Sequence, residues 1–256
     1  MSFSRTYDGA EPVRVNKWLA QSGVCSRREA EELIAAGAVL IDGERVSDVG
    51  RKISAGQTLV LNARAELGLG AQISVVINKP PGIVSAQPEH GQIPAARLLT
   101  AENQTGAGIV PSSRASLPPL GRLDQDSRGL LLLSEDGVLA KSIIGPESEI
   151  DKEYVVTVRG MIDRGKIQKL RHGLELDGRQ LKPAKVTLQD TQILRFVLTE
   201  GRNRQIRRMC ELVELEVADL VRVRIGPLLL GDLAECKWRH LTGPERDALV
   251  AARWAG

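Results

Sequence analysis

Apolar positions along the chain change period several times, and each change marks an element. In VRVNKWLAQS (13–22), Val15, Trp18 and Leu19 share one helical face, and Gly23 follows as a stop. SRREAEELIAAG opens with Ser26 and Glu29 at capping-box spacing and closes on Gly37, which predicts a second helix. AVLIDGERV then alternates around Asp42-Gly43, a tight-hairpin signal, and QTLVLNA adds a short strand. These pieces make a compact α+β module over residues 13–62. ARAELGLGAQ (63–72) is rich in small residues, keeps no period and reads as a linker.

From 73 to 256 the pattern is that of a larger sheet domain. ISVVINKPPGIVSA predicts a buried strand ending in a proline-forced turn, and residues 100–119 read as a long mobile loop. Four consecutive leucines, Leu130 to Leu133, predict a strand buried on both faces. KEYVVTVRG alternates, placing Tyr154, Val156 and Val158 on one face. Further predicted elements are a helix in IDRGKIQKLRHGLEL, a strand in QILRFVLTEG, a helix over RNRQIRRMCELVELEV and a terminal helix near 243–254. Strands and helices follow no regular βαβ alternation. The expected architecture is therefore α+β, a mixed, largely antiparallel sheet flanked by helices.

Composition narrows the function classes. The net charge of +3 is modest, so an anionic partner must be met by local basic clusters. The three cysteines are scattered and odd in number, as expected of buried thiols in a reducing cytoplasm. No Cys/His spacing suggests zinc, and neither GxxxxGK[ST] nor GxGxxG is present. The opening MSFSRTYDGAEP is not a signal sequence, and no stretch is apolar enough to span a bilayer. A cytoplasmic, metal-free chain is expected.

Charge placement supplies the candidate chemistry. Arg27 and Arg28 fall in the first turn of the second predicted helix, where the dipole disfavours cations, and Arg14 and Lys17 lie on the polar side of the first. Such residues make either a solvated face balanced by Glu29, Glu31 and Glu32 or a surface for RNA phosphates. In GRLDQDSRGLLLL, Arg122, Asp124, Asp126 and Arg128 crowd the mouth of the leucine strand. They fit a charged turn, a DxD metal site or the edge of an active site. In TEGRNRQIRRMCE, Ile206, Met209, Cys210 and Val213 define a core face, with Arg204 and Arg208 opposite and Arg207 at the flank. RNA phosphates for Arg204 and Arg208, and a buried carboxylate for Arg207, would balance these charges. Tyr154 suits a core tyrosine or a stacking ring; aromatics are only 3% of the chain, so no broad stacking platform exists.

These residues carry a resemblance. VRVNKWLAQSGVCSRREAEELIAAGAVLIDGERV resembles an S4-type RNA-binding domain, which assigns phosphate contacts to Arg14, Lys17, Arg27 and Arg28. NKPPG (78–82), GRLDQDSRGLLLL (121–133), KEY (152–154) and EGRNRQIRRM (200–209) together resemble the pseudouridine synthases, in their RsuA-type, ribosomal-RNA branch. The Pro/Ser-rich segment before residue 119 is longer than that pattern. The resemblance implies conversion of a uridine in rRNA to pseudouridine: the base is detached at N1, turned and rejoined through C5, without cofactor or metal. Asp124 is then the essential carboxylate, by attack on the ribose or by proton abstraction; Arg207 pairs with it, and Tyr154 stacks on the base. Arg122 sits beside the flipped nucleotide's phosphate, while Asp126 and Arg128 are turn residues that support the site. The body is closer to members acting on large-subunit (23S) rRNA or its precursor, and a monomer is expected. Three competing readings remain: the same reaction on 16S rRNA, a non-catalytic ribosome-assembly factor, and a metal-dependent transferase using Asp124 and Asp126.

Overall fold

The computed structural model describes residues 3–112, 115 and 117–252. They divide into two compact units: residues up to 73 with 134–141, and 74–133 with the chain from 142 onward.

The first unit opens with β1 (Ser4–Thr6) and β2 (Val13–Arg14), followed by α1 (Val15–Gln21) and α2 (Arg27–Ala35). The capping box forms as the spacing requires: Ser26 Oγ accepts from Glu29 N–H, and Ser26 N–H donates to Glu29 Oε2 at 2.5 Å. Next come β3 (Val39–Ile41) and β4 (Glu44–Arg45), then β5 (Lys52–Ile53) and β6 (Thr58–Leu61). Asp42 and Gly43 both take positive φ, 49° and 86°, as the hairpin turn between β3 and β4 demands. The four-stranded sheet runs β1-β6-β3-β4, and β2 pairs separately with β5. Val15, Leu19, Ile34, Val39, Ile53 and Leu59 fill the core between sheet and helices. The expected linker is instead helical: α3 (Ala63–Gly70) starts where Asn62 accepts from Ala65 N–H at 2.9 Å. Two glycines and a short length hid its period, and only Ala65 of it is buried.

In the second unit β7 (Ser74–Lys79) and β8 (Arg128–Ser134) are the two apolar strands expected. Leu130 to Leu133 are all fully buried. After β8 comes a helix with no sequence expectation, α4 (Gly137–Ile144), whose residues 137–141 count with the first unit; Asp136 caps it by accepting from Val138 and Leu139 N–H. Then come β9 (Lys152–Arg159), α5 (Arg164–Arg171), the hairpin β10 (Glu175–Leu176) and β11 (Arg179–Gln180), β12 (Lys185–Asp190) and β13 (Ile193–Leu198). The chain finishes with α6 (Gln205–Glu211), β14 (Glu216–Ile225), β15 (Leu228–Leu229), β16 (Trp238–His240) and α7 (Gly243–Ala251).

The large sheet has the order β12-β13-β9-β14-β8-β7-β16, with β15 on β14. β14 runs parallel to β8, while β9, β13, β12 and β15 are joined antiparallel, so the sheet is mixed and largely antiparallel as expected. Two predicted helices are shorter than their periods implied. α5 stops before Gly173 (φ 88°) and gives way to the β10–β11 hairpin. α6 ends at Glu211, a turn with Glu214 at φ 56° follows, and the chain turns extended from Glu216 because β14 continues the sheet beside β9. Ile206, Met209, Cys210 and Val213 are buried, as their spacing required. The end of the terminal helix, Arg253 and Trp254, lies outside the described residues.

Candidate active site

The segment 121–127 is pinned before it enters β8. Ser85 Oγ donates to Leu123 C=O at 2.7 Å and accepts from Leu123 N–H at 2.8 Å. Gly82 N–H donates to Gln125 C=O at 2.7 Å, and Gln125 Nε2 returns a bond to Gly82 C=O at 3.1 Å. Ser85 and Gly82, the last residue of the NKPPG turn, thus grip the residues on either side of Asp124. Among the described residues, no hydrogen bond or ion pair reaches the Asp124 carboxylate. It is half-buried, at the wall of a cavity of about 650 Å³. That volume falls in the range of small-ligand sites.

Tyr154 lines the same cavity from β9, where it stands opposite Phe196 of β13 and Arg222 of β14. Val156 and Val158, on the same face, are buried in the core, whereas Tyr154 remains half-exposed at its edge. Arg207 also lines the cavity and is only 8% exposed. Its expected pairing with Asp124 is not the one observed. Arg207 Nη2 donates to Asp126 C=O at 2.9 Å and to Ser127 Oγ at 3.3 Å, and its Nε lies 3.3 Å from Asp126 Oδ2. That last contact lacks a hydrogen-bonding angle, so it is Coulombic only. The reason is register: Asp126, two residues beyond Asp124, is the carboxylate that projects towards α6.

The neighbouring arginines are paired within the protein too. Arg204, at the start of α6 with φ 49°, donates to both Asp126 carboxylate oxygens at 3.1 and 3.0 Å. Arg208 forms a fork with Asp177 at 2.9 and 2.6 Å, which holds the Asp177 carboxyl below its usual range. Arg128 forms a similar fork with Asp219. Asp126 therefore already faces two guanidiniums, an arrangement that suits an ion-pair hub better than half of a DxD metal site. Arg122 is exposed at the cavity rim. Among the described residues, seven cationic side chains line the cavity against two carboxylates, Asp124 and Glu200. The site is thus more basic than the whole chain, with its net charge of +3.

Two buried cations, Lys79 and Arg222, and a half-buried one, Lys152, escaped sequence reasoning. Lys79 is fully buried; its Nζ donates to the carbonyls of Pro80 and Ile83 at 2.9 and 2.6 Å. Burial pushes its pKa down to about 8, against the opposing pull of Asp126 and Asp124. Lys152 Nζ donates to the carbonyls of Ile143 and Ile150, and burial, then Arg222, hold it at about 8. Arg222 is 2% exposed and lines the cavity floor. In DLVRVRI the valines mark the apparent core face, so alternation casts Arg222 as a surface residue. Only the loop folded over that face of β14 makes it interior.

In the first unit, Arg14, Lys17, Arg27 and Arg28 are all exposed. Among the described residues, none of the four side chains takes part in a hydrogen bond or ion pair. Cys25 and Cys210 are buried, and burial pushes both thiols up to about 12, far from reactivity. No helix among the described residues is long and apolar enough to cross a membrane.

Comparison with known proteins gives the family. Residues 73–212 match the model of the RNA pseudouridylate synthase family, and residues 13–59 match the S4 domain. The ribosomal large subunit pseudouridine synthase B of Bacillus subtilis (strain 168) is 34% identical over 93% of this chain and 96% of its own length. The dual-specificity RNA pseudouridine synthase RluF of Escherichia coli (strain K12) is 35% identical over 91% of this chain and 77% of its own. A crystal structure of a pseudouridylate synthase superposes with a TM-score of 0.61 and 25% identity, covering 93% of this chain and 99% of that one. The chain belongs to the RNA pseudouridylate synthase family and is an RNA pseudouridine synthase with an N-terminal S4 domain.

Proposed function

We propose that this enzyme isomerises one uridine of large-subunit (23S) rRNA, or of its precursor, with Asp124 as the essential carboxylate and no cofactor. The observation that carries the reading is the state of Asp124: its backbone is held from both sides, and its carboxylate is left without a partner in a basic cavity. An anion so placed is available to the reacting ribose or base. The base leaves C1′ as its N1 bond breaks, turns, and bonds to C1′ through C5; the C5 proton then departs and N1 takes one up, so the product is an isomer and no redox chemistry is required.

Tyr154 stacks on the target base, and its half-exposed ring at the cavity edge supports this. Drawing a uridine out of its stack costs a few kcal/mol, which phosphate contacts and that ring offset. Arg207 keeps positive charge close to the reacting carboxylate and ties Asp126 and Ser127 to α6. Arg122, exposed at the rim, meets the flipped nucleotide's phosphate. Arg204 and Arg208 reach RNA by exchanging Asp126 and Asp177 for phosphates. Arg14, Lys17, Arg27 and Arg28 contact RNA phosphates. The chain acts as a monomer in the cytoplasm. The large-subunit assignment is supported by the Bacillus subtilis relative, a ribosomal large subunit pseudouridine synthase.

Unmodified large- and small-subunit rRNAs, incubated in parallel with the protein in excess EDTA after refolding, test the reading. Pseudouridine is located by carbodiimide-blocked primer extension. A single new stop in large-subunit RNA, absent with Asp124→Asn, is expected. A stop only in 16S rRNA overturns the target, and a stop that EDTA removes overturns the metal-free chemistry. Tight binding without any stop would favour an assembly factor.

A further inference from the structure

We propose that Arg222 is a positioning residue for the isomerisation, tying the segment that carries Asp124 to the strand that faces Tyr154. The proposal rests on the roles given above to those two residues. Arg222 lies on β14, between β9 and β8, and is almost wholly buried. Its guanidinium donates from three nitrogens to three main-chain carbonyls: Nε to Leu130 at 2.7 Å, Nη2 to Gly121 at 2.9 Å and Nη1 to Arg122 at 3.4 Å. One side chain therefore links β14 to β8 and to the two residues that open the Asp124 segment. Across the sheet Arg222 pairs directly with Tyr154, so both side chains stand on the cavity face.

The backbone around this tie is shaped to admit it. Gly129, φ 103°, pairs with Arg222 in the parallel β8–β14 contact; a Cβ there would sit 2.4 Å from the Arg222 carbonyl oxygen. Gly121 adopts φ 93° so that its carbonyl can meet the guanidinium. Among the described residues, no carboxylate forms an ion pair with Arg222. A buried cation held only by carbonyls is a costly way to fill space, and an apolar residue would pack there more cheaply. What a guanidinium offers that leucine or methionine does not is a planar fork of donors able to fix several chain segments at once. The segments it fixes are those that aim the carboxylate at the base held by Tyr154. A displacement of about 1 Å there is enough to cost roughly 10²-fold in rate.

The test uses the full-length chain with Arg222→Met, Arg222→Lys and the Asp124→Asn control. Single-turnover rates on the mapped rRNA are measured beside RNA affinity and thermal melts. Arg222→Met is expected to lower the maximal rate by about 10²-fold while half-saturation stays within about threefold. Arg222→Lys, which keeps the charge and reaches fewer carbonyls, recovers about a tenth of the wild-type rate. A fully active Arg222→Met overturns the proposal. So does an equal loss of rate and affinity without rescue by lysine, which is the mark of a packing role. Loss of a cooperative melt in both variants leaves Arg222 an architectural role only and overturns it as well. An active Asp124→Asn would instead sink the reading of the site; an inactive one beside a fully active Arg222→Met confines the failure to Arg222.

Discussion

The two units use cations in opposite ways. In the first, Arg14, Lys17, Arg27 and Arg28 project into solvent with no described partner. In the second, Lys79, Arg207 and Arg222 are buried, and Lys152 is partly so; their donors are spent on main-chain carbonyls. Exposed charges act through long-range attraction, which salt screens within about 10 Å. Buried charges act through geometry, because each fixes the carbonyls it touches. The first unit therefore offers its cations to an outside partner, and the second spends its buried ones on holding its own shape around Asp124.

The sharpest break of this contrast comes from Asp124, whose carboxylate no hydrogen bond or ion pair reaches among the described residues. Asp124→Asn should lower turnover by roughly 10³-fold or more with RNA affinity changed only a few-fold, as single-turnover rates and filter binding would record. Retained turnover would mean that the buried cations organise something else. Next in size, Arg27→Glu with Arg28→Glu should weaken RNA binding by about tenfold and flatten the log–log salt slope by about 1.5 units. An unaltered slope would class those arginines as solvated charge, erasing the difference between the units.

A smaller effect probes the buried side. Lys79 sits at about 8 in the fold against 10.5 for a free lysine. Between those values the unfolded chain binds the extra proton, so stability rises as pH climbs from 8 to 10.5, and burying the charge costs stability below 8. The wild-type melting temperature should therefore gain a few degrees over that window relative to Lys79→Met, with little dependence on salt. Parallel curves for the two proteins would show that the lysine titrates normally. The smallest change belongs to a pair at the surface: Asp177→Asn frees Arg208 and should raise RNA affinity about twofold at low salt, and not at high salt. A gain that survives high salt would put Arg208 with the buried group.

Much of this was legible in the sequence, and the reasons are local. Ser26 and Glu29 cap α2 because both bonds span one helical turn. Asp42-Gly43 turns the β3–β4 hairpin because its residues tolerate positive φ. The leucine run, the core face of α6 and the mixed sheet followed from period and composition. What failed were the ends of elements and the charges between them. α6 stops short of its apolar pattern because β14 claims the following residues for the sheet. α4 was not anticipated, although Asp136 caps it in an ordinary way.

The candidate site divides along the same line. Sequence by itself determined which residue types gather: an aspartate before a buried strand, an alternating tyrosine, an arginine-rich helix start and an S4 module with exposed cations. These are set by spacing and by motifs that lie within one element. Only the tertiary structure decided which charges meet. It gave Arg207 and Arg204 to Asp126 rather than to Asp124, gave Arg208 to Asp177, and folded the 121–127 segment over Arg222. The physical reason is that an ion pair or a buried donor depends on where residues some eighty positions apart come to rest, from Asp126 to Arg207, and a periodic pattern carries no record of that.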